Sequence, residues 1–183
     1  MEGTLKPPRP PKHWRQRFLY VASVFAGFSK DPSTQVGAVA VRDRRILATG
    51  YNGFPQGVRD TPDRLKNRDV RLAMTIHAEM NLVAFAARNG VCLAGADVYV
   101  WPLMTCSQCA GLLIQADIGK IIVPDFVEPL RWQQSFQAAR DMLIEANVAV
   151  ERIPMKGPIN PMLEDDDDDD EINPYAMEDI SIA

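Results

Sequence analysis

The chain has 183 residues, 46% of them hydrophobic, and a formal net charge of −4, but ten acidic residues and no basic one lie in residues 157–183, so residues 1–156 carry a net charge of +6. A cationic body suits an anionic small molecule or a nucleic acid as ligand, and the acidic end reads as a solvated appendage. The composition excludes a membrane-spanning class, since the longest apolar run, residues 18–27, is half of the ~20 residues a bilayer requires. Residues 1–12 hold four prolines and no apolar core, unlike a signal peptide. Three cysteines, Cys92, Cys106 and Cys109, are odd in number and two are three apart, which argues against a disulfide framework and for a reducing, cytoplasmic setting with a metal or redox role.

In chain order, residues 1–12 predict an extended, basic, Pro-rich arm. Residues 13–30 place Trp14, Phe18, Leu19, Val21, Ala22, Phe25 and Ala26 at helical spacing. Residues 36–41 and 45–49 are β-rich and separated by Arg42, Asp43 and Arg44, which predicts a hairpin. Residues 51–57 are dense in turn formers, and residues 58–71 predict a loop with at most a short helix. From there helix and strand alternate: helix over 76–88, strand over 97–101, helix over 106–118, strand over 120–123, helix over 130–146 and a last strand over 148–153. A hairpin followed by such alternation predicts a three-layer α/β domain over residues 13–153, with a central mixed sheet of about five strands flanked by helices. Residues 154–183 lose periodicity and contain six consecutive aspartates, so a disordered tail is expected.

Two local patterns carry chemistry. His77-Ala78-Glu79 opens one predicted helix, and Cys106-Ser107-Gln108-Cys109 opens the next, with one strand between them. A lone histidine is commonly structural and a lone CxxC is commonly a redox pair. Together, one His and two Cys are three of the four ligands of tetrahedral zinc, which leaves a position open for catalysis. Thr105 and Gln108 match a capping box, and Thr75 is placed to cap the preceding helix, so both triplets are expected in first turns where the helix dipole favours thiolate. Glu79, two residues from a ligand, is placed to carry protons to and from a zinc-activated water.

On these residues the chain resembles the zinc-dependent cytidine and deoxycytidylate deaminase superfamily, whose signature is H-x-E followed by P-C-x-x-C. Within it the resemblance is greatest to the deoxycytidylate (dCMP) deaminases, through four ordered runs at residues 31–38, 50–57, 77–81 and 106–116, and it covers about residues 13–153. In one departure Thr105, not proline, precedes the first cysteine, and Pro102 lies four residues before it. The resemblance implies a cytidine-deaminase-like fold, zinc held by His77, Cys106 and Cys109, and Glu79 as the catalytic proton shuttle. It implies hydrolysis of dCMP to dUMP with loss of ammonia, supplying dUMP for thymidylate synthesis, with Asn52 and Ala78 against the substrate. It also implies a homo-oligomer, usually a hexamer, often controlled by dCTP and dTTP, for which residues 53–57 offer either an effector site or a plain turn.

Phosphate would meet cations, and Arg59, Arg64, Lys66, Arg68 and Arg71 lie in the right part of the chain, as do Arg131 and Trp132 at the start of the last helix. Asn52, before a glycine, reads as well as a turn residue, and Cys92 as a small buried hydrophobe. Competing readings are a deaminase of another cytosine compound or of nucleic acid, and an idle deaminase fold used as a nucleotide-binding module. The sequence shows no basic stretch interleaved with stacking aromatics, which disfavours single-stranded nucleic acid. The acidic tail would repel an anionic substrate and is expected to stand away from the site.

Overall fold

The computed structural model describes residues 11–155. Residues 156–183 of the expected tail and 1–10 of the expected arm lie outside the described residues. Helix α1, Pro11–Ala26, starts two residues earlier than its apolar pattern indicates, and Pro11 suits a first helical turn because its missing N–H has no partner to lose there. Strands β1 (Gly37–Arg42) and β2 (Arg45–Tyr51) form the expected hairpin. Its two connecting residues, Asp43 and Arg44, have φ of 52° and 60°, the left-handed pair that matches the twist of a two-residue hairpin.

Where a loop with at most one short helix was expected, two short helices stand: α2 (Pro62–Lys66) and α3 (Arg68–Met74). Asn67 nucleates α3, its side chain accepting from the Asp69 and Val70 amides. Helix α4 (Ala78–Arg88), strand β3 (Asp97–Trp101), helix α5 (Ser107–Gln115), strand β4 (Lys120–Pro124), a 3₁₀ turn (Leu130–Trp132), helix α6 (Gln133–Glu145) and strand β5 (Ala149–Ile153) complete the alternation.

The sheet has the order β2-β1-β3-β4-β5, with β1 antiparallel to both neighbours and β3, β4 and β5 parallel. Its period of two divides the core into two layers. Ala38, Ala40, Val98, Val100, Ile121 and Val123 face Leu82, Leu113, Phe136 and Leu143 of α4, α5 and α6. Val39, Val41, Tyr99 and Ile122 face Phe18, Leu19 and Ala22 of α1. This is the expected three-layer α/β arrangement of a cytidine-deaminase-like fold.

Strand direction determines where chemistry collects. Gly37 at the start of β1 pairs with Tyr51 at the end of β2 and Trp101 at the end of β3. The segments entering β1 and leaving β2 and β3 therefore meet at one end of the sheet, the end from which α4 and α5 set out. Two glycines permit the close packing there: a Cβ on Gly37 would lie 2.0 Å from the Ala22 carbonyl oxygen, and one on Gly50 would lie 2.2 Å from that of Ala78. Gly50→Ala is expected to lower unfolding free energy by about 1–3 kcal/mol, because the opposing atom is helix backbone and cannot swing aside. Denaturant titration of the zinc-loaded protein checks this.

Candidate active site

His77 is set by backbone pairing. The Gly53 amide donates to the Ile76 carbonyl (3.1 Å) and the Ile76 amide to the Gly53 carbonyl (2.9 Å), an isolated antiparallel bridge that fastens the approach to α4 beside the end of β2. Asn81, one turn into α4, donates to the Tyr51 carbonyl (2.7 Å) and holds the helix there. The other side is set by α5, whose first amide, Ser107 N–H, donates to the Ser135 hydroxyl of α6 (3.1 Å).

The caps differ from the sequence expectation. His77 is the N-cap of α4 and Cys106 that of α5, neither with a side-chain cap bond. Thr75 instead ends α3, its amide donating to the Arg71 carbonyl (2.9 Å). Thr105 is fully buried one residue before the cap, and its hydroxyl donates to Glu79 Oε1 at 2.5 Å. The capping-box reading fails because a residue 26 positions earlier claims that hydroxyl.

Three donor atoms converge. Nδ1 of His77 lies 3.3 Å from Sγ of Cys106 and 3.4 Å from Sγ of Cys109, and all three atoms fall within 4.8 Å of one another. Zinc bonds of about 2.3 Å to sulfur and about 2.0–2.1 Å to nitrogen give a tetrahedral N···S edge of roughly 3.6 Å. The spacing and the borderline-soft donor set therefore fit zinc, with one position left for a non-protein ligand. The charges fit too. The two thiols are driven apart: the bond from Cys109 and then His77 pull the Cys106 thiol well below its ordinary range against the effect of burial, while that same bond and burial push Cys109 up. A divalent cation would resolve this by making both thiolate. The His77 imidazole is raised by its bond with Cys106, burial opposing.

Glu79 is buried beside this cluster, and burial raises its carboxyl above the ordinary range although the Thr105 hydroxyl acts the other way. A carboxyl shifted toward neutrality is suited to both accepting and returning a proton.

A cavity of about 310 Å³ opens on these groups. Besides His77, Glu79 and Cys106 its wall includes Asn52, Ala78, Val36, Leu103, Met104, Trp132 and Phe136. Trp132 lies edge-on to His77 and stacks on Phe136 at 6.0 Å and 16°. Asn52 is buried, its Oδ1 accepting from the Val36 amide (2.8 Å) and its Nδ2 donating to the Thr34 carbonyl (2.9 Å). One N–H and one lone pair of that amide remain for a ligand.

Of the cations named from sequence, Arg68, Arg71 and Arg131 line the cavity, whereas Arg59, Arg64 and Lys66 do not. Arg64 bonds the Arg59 carbonyl on the surface. Arg71 is buried, faces Asp31 at 3.4 Å and donates to the Ser33 hydroxyl (2.8 Å) and the Leu65 carbonyl (2.5 Å). Its charge is thus used in holding the loop before β1, where Asp31 also accepts from the Ser33 and Thr34 amides. Arg131 is exposed and bonds only the Thr34 hydroxyl, at 3.4 Å, among the described residues. Arg68 is exposed, with Asp69 at 3.9 Å as a weak partner. Sequence reasoning did not single out Ser33, Thr34, Leu103, Met104 or Phe136 as wall residues. The first two lie in the 31–38 run and were legible there, whereas the others read as ordinary core. Cys92, expected to be buried, is exposed. No helix among the described residues is long and apolar enough to cross a membrane.

Comparison with known proteins agrees with this geometry. Residues 12–124 match the family described as "Cytidine and deoxycytidylate deaminase zinc-binding region". An "Uncharacterized deaminase in luxG 3'region" of Aliivibrio fischeri is 39% identical over 144 residues, 78% of this chain and 95% of the relative. A "Probable deoxycytidylate deaminase" of Caenorhabditis elegans is 40% identical over 76% of this chain and 70% of its own. The human "Deoxycytidylate deaminase" is 39% identical over 60% of this chain and 63% of its own. Among solved structures, the dCMP deaminase of cyanophage S-TIM5 in complex with dCMP and dUMP shares the fold at a TM-score of 0.63 and 24% identity, covering 81% of this chain and 99% of that one. The chain therefore belongs to the zinc-binding cytidine and deoxycytidylate deaminases and is a hydrolytic deaminase within that group.

Proposed function

We propose that the chain hydrolyses dCMP to dUMP and ammonia and so supplies dUMP for thymidylate synthesis. The observation that carries this reading is one cavity, at the lower end of the roughly 300–1,000 Å³ typical of small-molecule sites, that joins His77, Cys106 and Glu79 to two exposed arginines, Arg68 and Arg131. The curated relatives named for deoxycytidylate support it.

In this reading His77, Cys106 and Cys109 hold the zinc, which when bound makes water nucleophilic at neutral pH. Leu103, Met104, Trp132 and Phe136 bury the cytosine ring and exclude bulk water. Asn52 and Ala78 meet the sugar. Glu79 takes a proton from the attacking water, delivers it to ring nitrogen 3, and passes the second to the exocyclic amine at carbon 4. The carbon–nitrogen bond breaks and ammonia leaves, the new oxygen remaining on the ring.

Arg131 and Arg68 receive the phosphate. Arg131→Ala is expected to raise KM for dCMP about tenfold, the worth of one charge-assisted hydrogen bond, while leaving deoxycytidine, which has no phosphate, unaffected in steady-state assays. The reading includes the homo-oligomer and the dCTP and dTTP control implied by the family. A second cavity of about 130 Å³, lined by Lys30, Tyr51, Gly53, Phe54 and Asp60 on the Gly-rich run, is where an effector would be sought.

The test is a panel of dCMP, CMP, dCTP, deoxycytidine and single-stranded oligonucleotide, run with and without dCTP or dTTP. Highest kcat/KM for dCMP supports the reading. Preference for the oligonucleotide, with a steep salt dependence, would replace it with nucleic-acid deamination.

A further inference from the structure

We infer that Thr105 is a positioning residue for Glu79, standing where the family signature carries proline. This inference rests on the reading of Glu79 as the proton shuttle and adds a group that the reading does not contain.

Thr105 has no exposed surface, and its hydroxyl lies 2.5 Å from Glu79 Oε1, its one side-chain hydrogen bond among the described residues. Glu79 lines the cavity and Thr105 does not, so the Thr105 hydroxyl acts on the site through Glu79 rather than by touching substrate. Proline has no group able to make this contact, whereas a threonine hydroxyl supplies one donor. With Oε1 engaged as acceptor, rotation of the carboxyl about its last bond is restrained, which favours Oε2 as the oxygen that carries the proton in transit. Thr105 is also covalently joined to Cys106, so the bond ties the shuttle's carboxyl to the backbone that carries a zinc ligand. Acid and metal site then move together, which matters because proton transfer depends on heavy-atom distances of about 2.6–3.2 Å.

Thr105→Val keeps the shape and removes the donor, and Thr105→Ser keeps the donor and removes the methyl. In zinc-loaded protein, Thr105→Val is expected to lower kcat for dCMP about 10- to 100-fold, to leave KM within about threefold, and to retain wild-type zinc content and melting temperature within a few degrees. Thr105→Ser is expected to restore most of the kcat. A Thr105→Val variant with wild-type kcat overturns the inference, as does one that loses zinc or stability in step with kcat and is not rescued by serine, since that pattern marks packing alone. The wild type in the same assay separates the two readings: if it does not deaminate dCMP the proposed function fails and this inference with it, whereas an active wild type beside an equally active Thr105→Val removes only the inference.

Discussion

Glu79→Gln is expected to retain zinc and lose turnover. The substitution keeps the size of the side chain and its acceptor oxygen for Thr105 but removes the site that carries the proton. Because Glu79 is buried beside the His77, Cys106 and Cys109 donor set without being one of its three members, zinc content measured by atomic absorption is expected to match wild type. Turnover is expected to fall about 10²- to 10⁴-fold, the usual worth of positioned acid–base catalysis. KM changes little, since the lost interaction is made in the transition state. Loss of zinc together with activity would place Glu79 among the ligands instead.

Zinc removal separates chemistry from fold. Two apolar layers, one on each face of the sheet, hold the strands and helices, and Cys106 and Cys109 are only two small members of the larger one. Dialysis against a chelator is therefore expected to abolish deamination and leave the far-ultraviolet circular dichroism largely unchanged. The melting temperature should fall by roughly 5–10 °C, because a ligand present at about 100 times its dissociation constant stabilises the folded state by about 2.7 kcal/mol. Returned zinc should restore both. A chelated protein that unfolds outright would show that the ion, rather than the core, joins α4 to α5.

Local signals told most where the chain is locally determined. The alternation of helix and strand placed a strand over Asp97–Trp101 to the residue, and the two ligand patterns were visible as spacing alone. What escaped was decided across distance. Helices α2 and α3 carry no apolar stripe; α3 is capped by Asn67 and anchored by Arg71, whose partner Asp31 lies 40 positions earlier. Arg71 thus reads as a candidate phosphate contact in sequence and is a buried cation paired with Asp31 in the fold. Thr105 matched a cap locally and was claimed by Glu79. The cavity wall also combines three chain segments that only the strand order β2-β1-β3 brings to one end of the sheet. Arg131, distant in sequence from the other cations, reaches the site through a turn that follows β4.

The central claim, that the His77, Cys106 and Cys109 cluster beside Glu79 makes this chain a deaminase of dCMP, meets its most direct test in one incubation. Zinc-loaded wild-type protein is mixed with dCMP, and dUMP and ammonia are quantified together. The account expects the two products in equal amounts with multiple turnovers per bound zinc. A zinc-replete protein that leaves dCMP unchanged would contradict it.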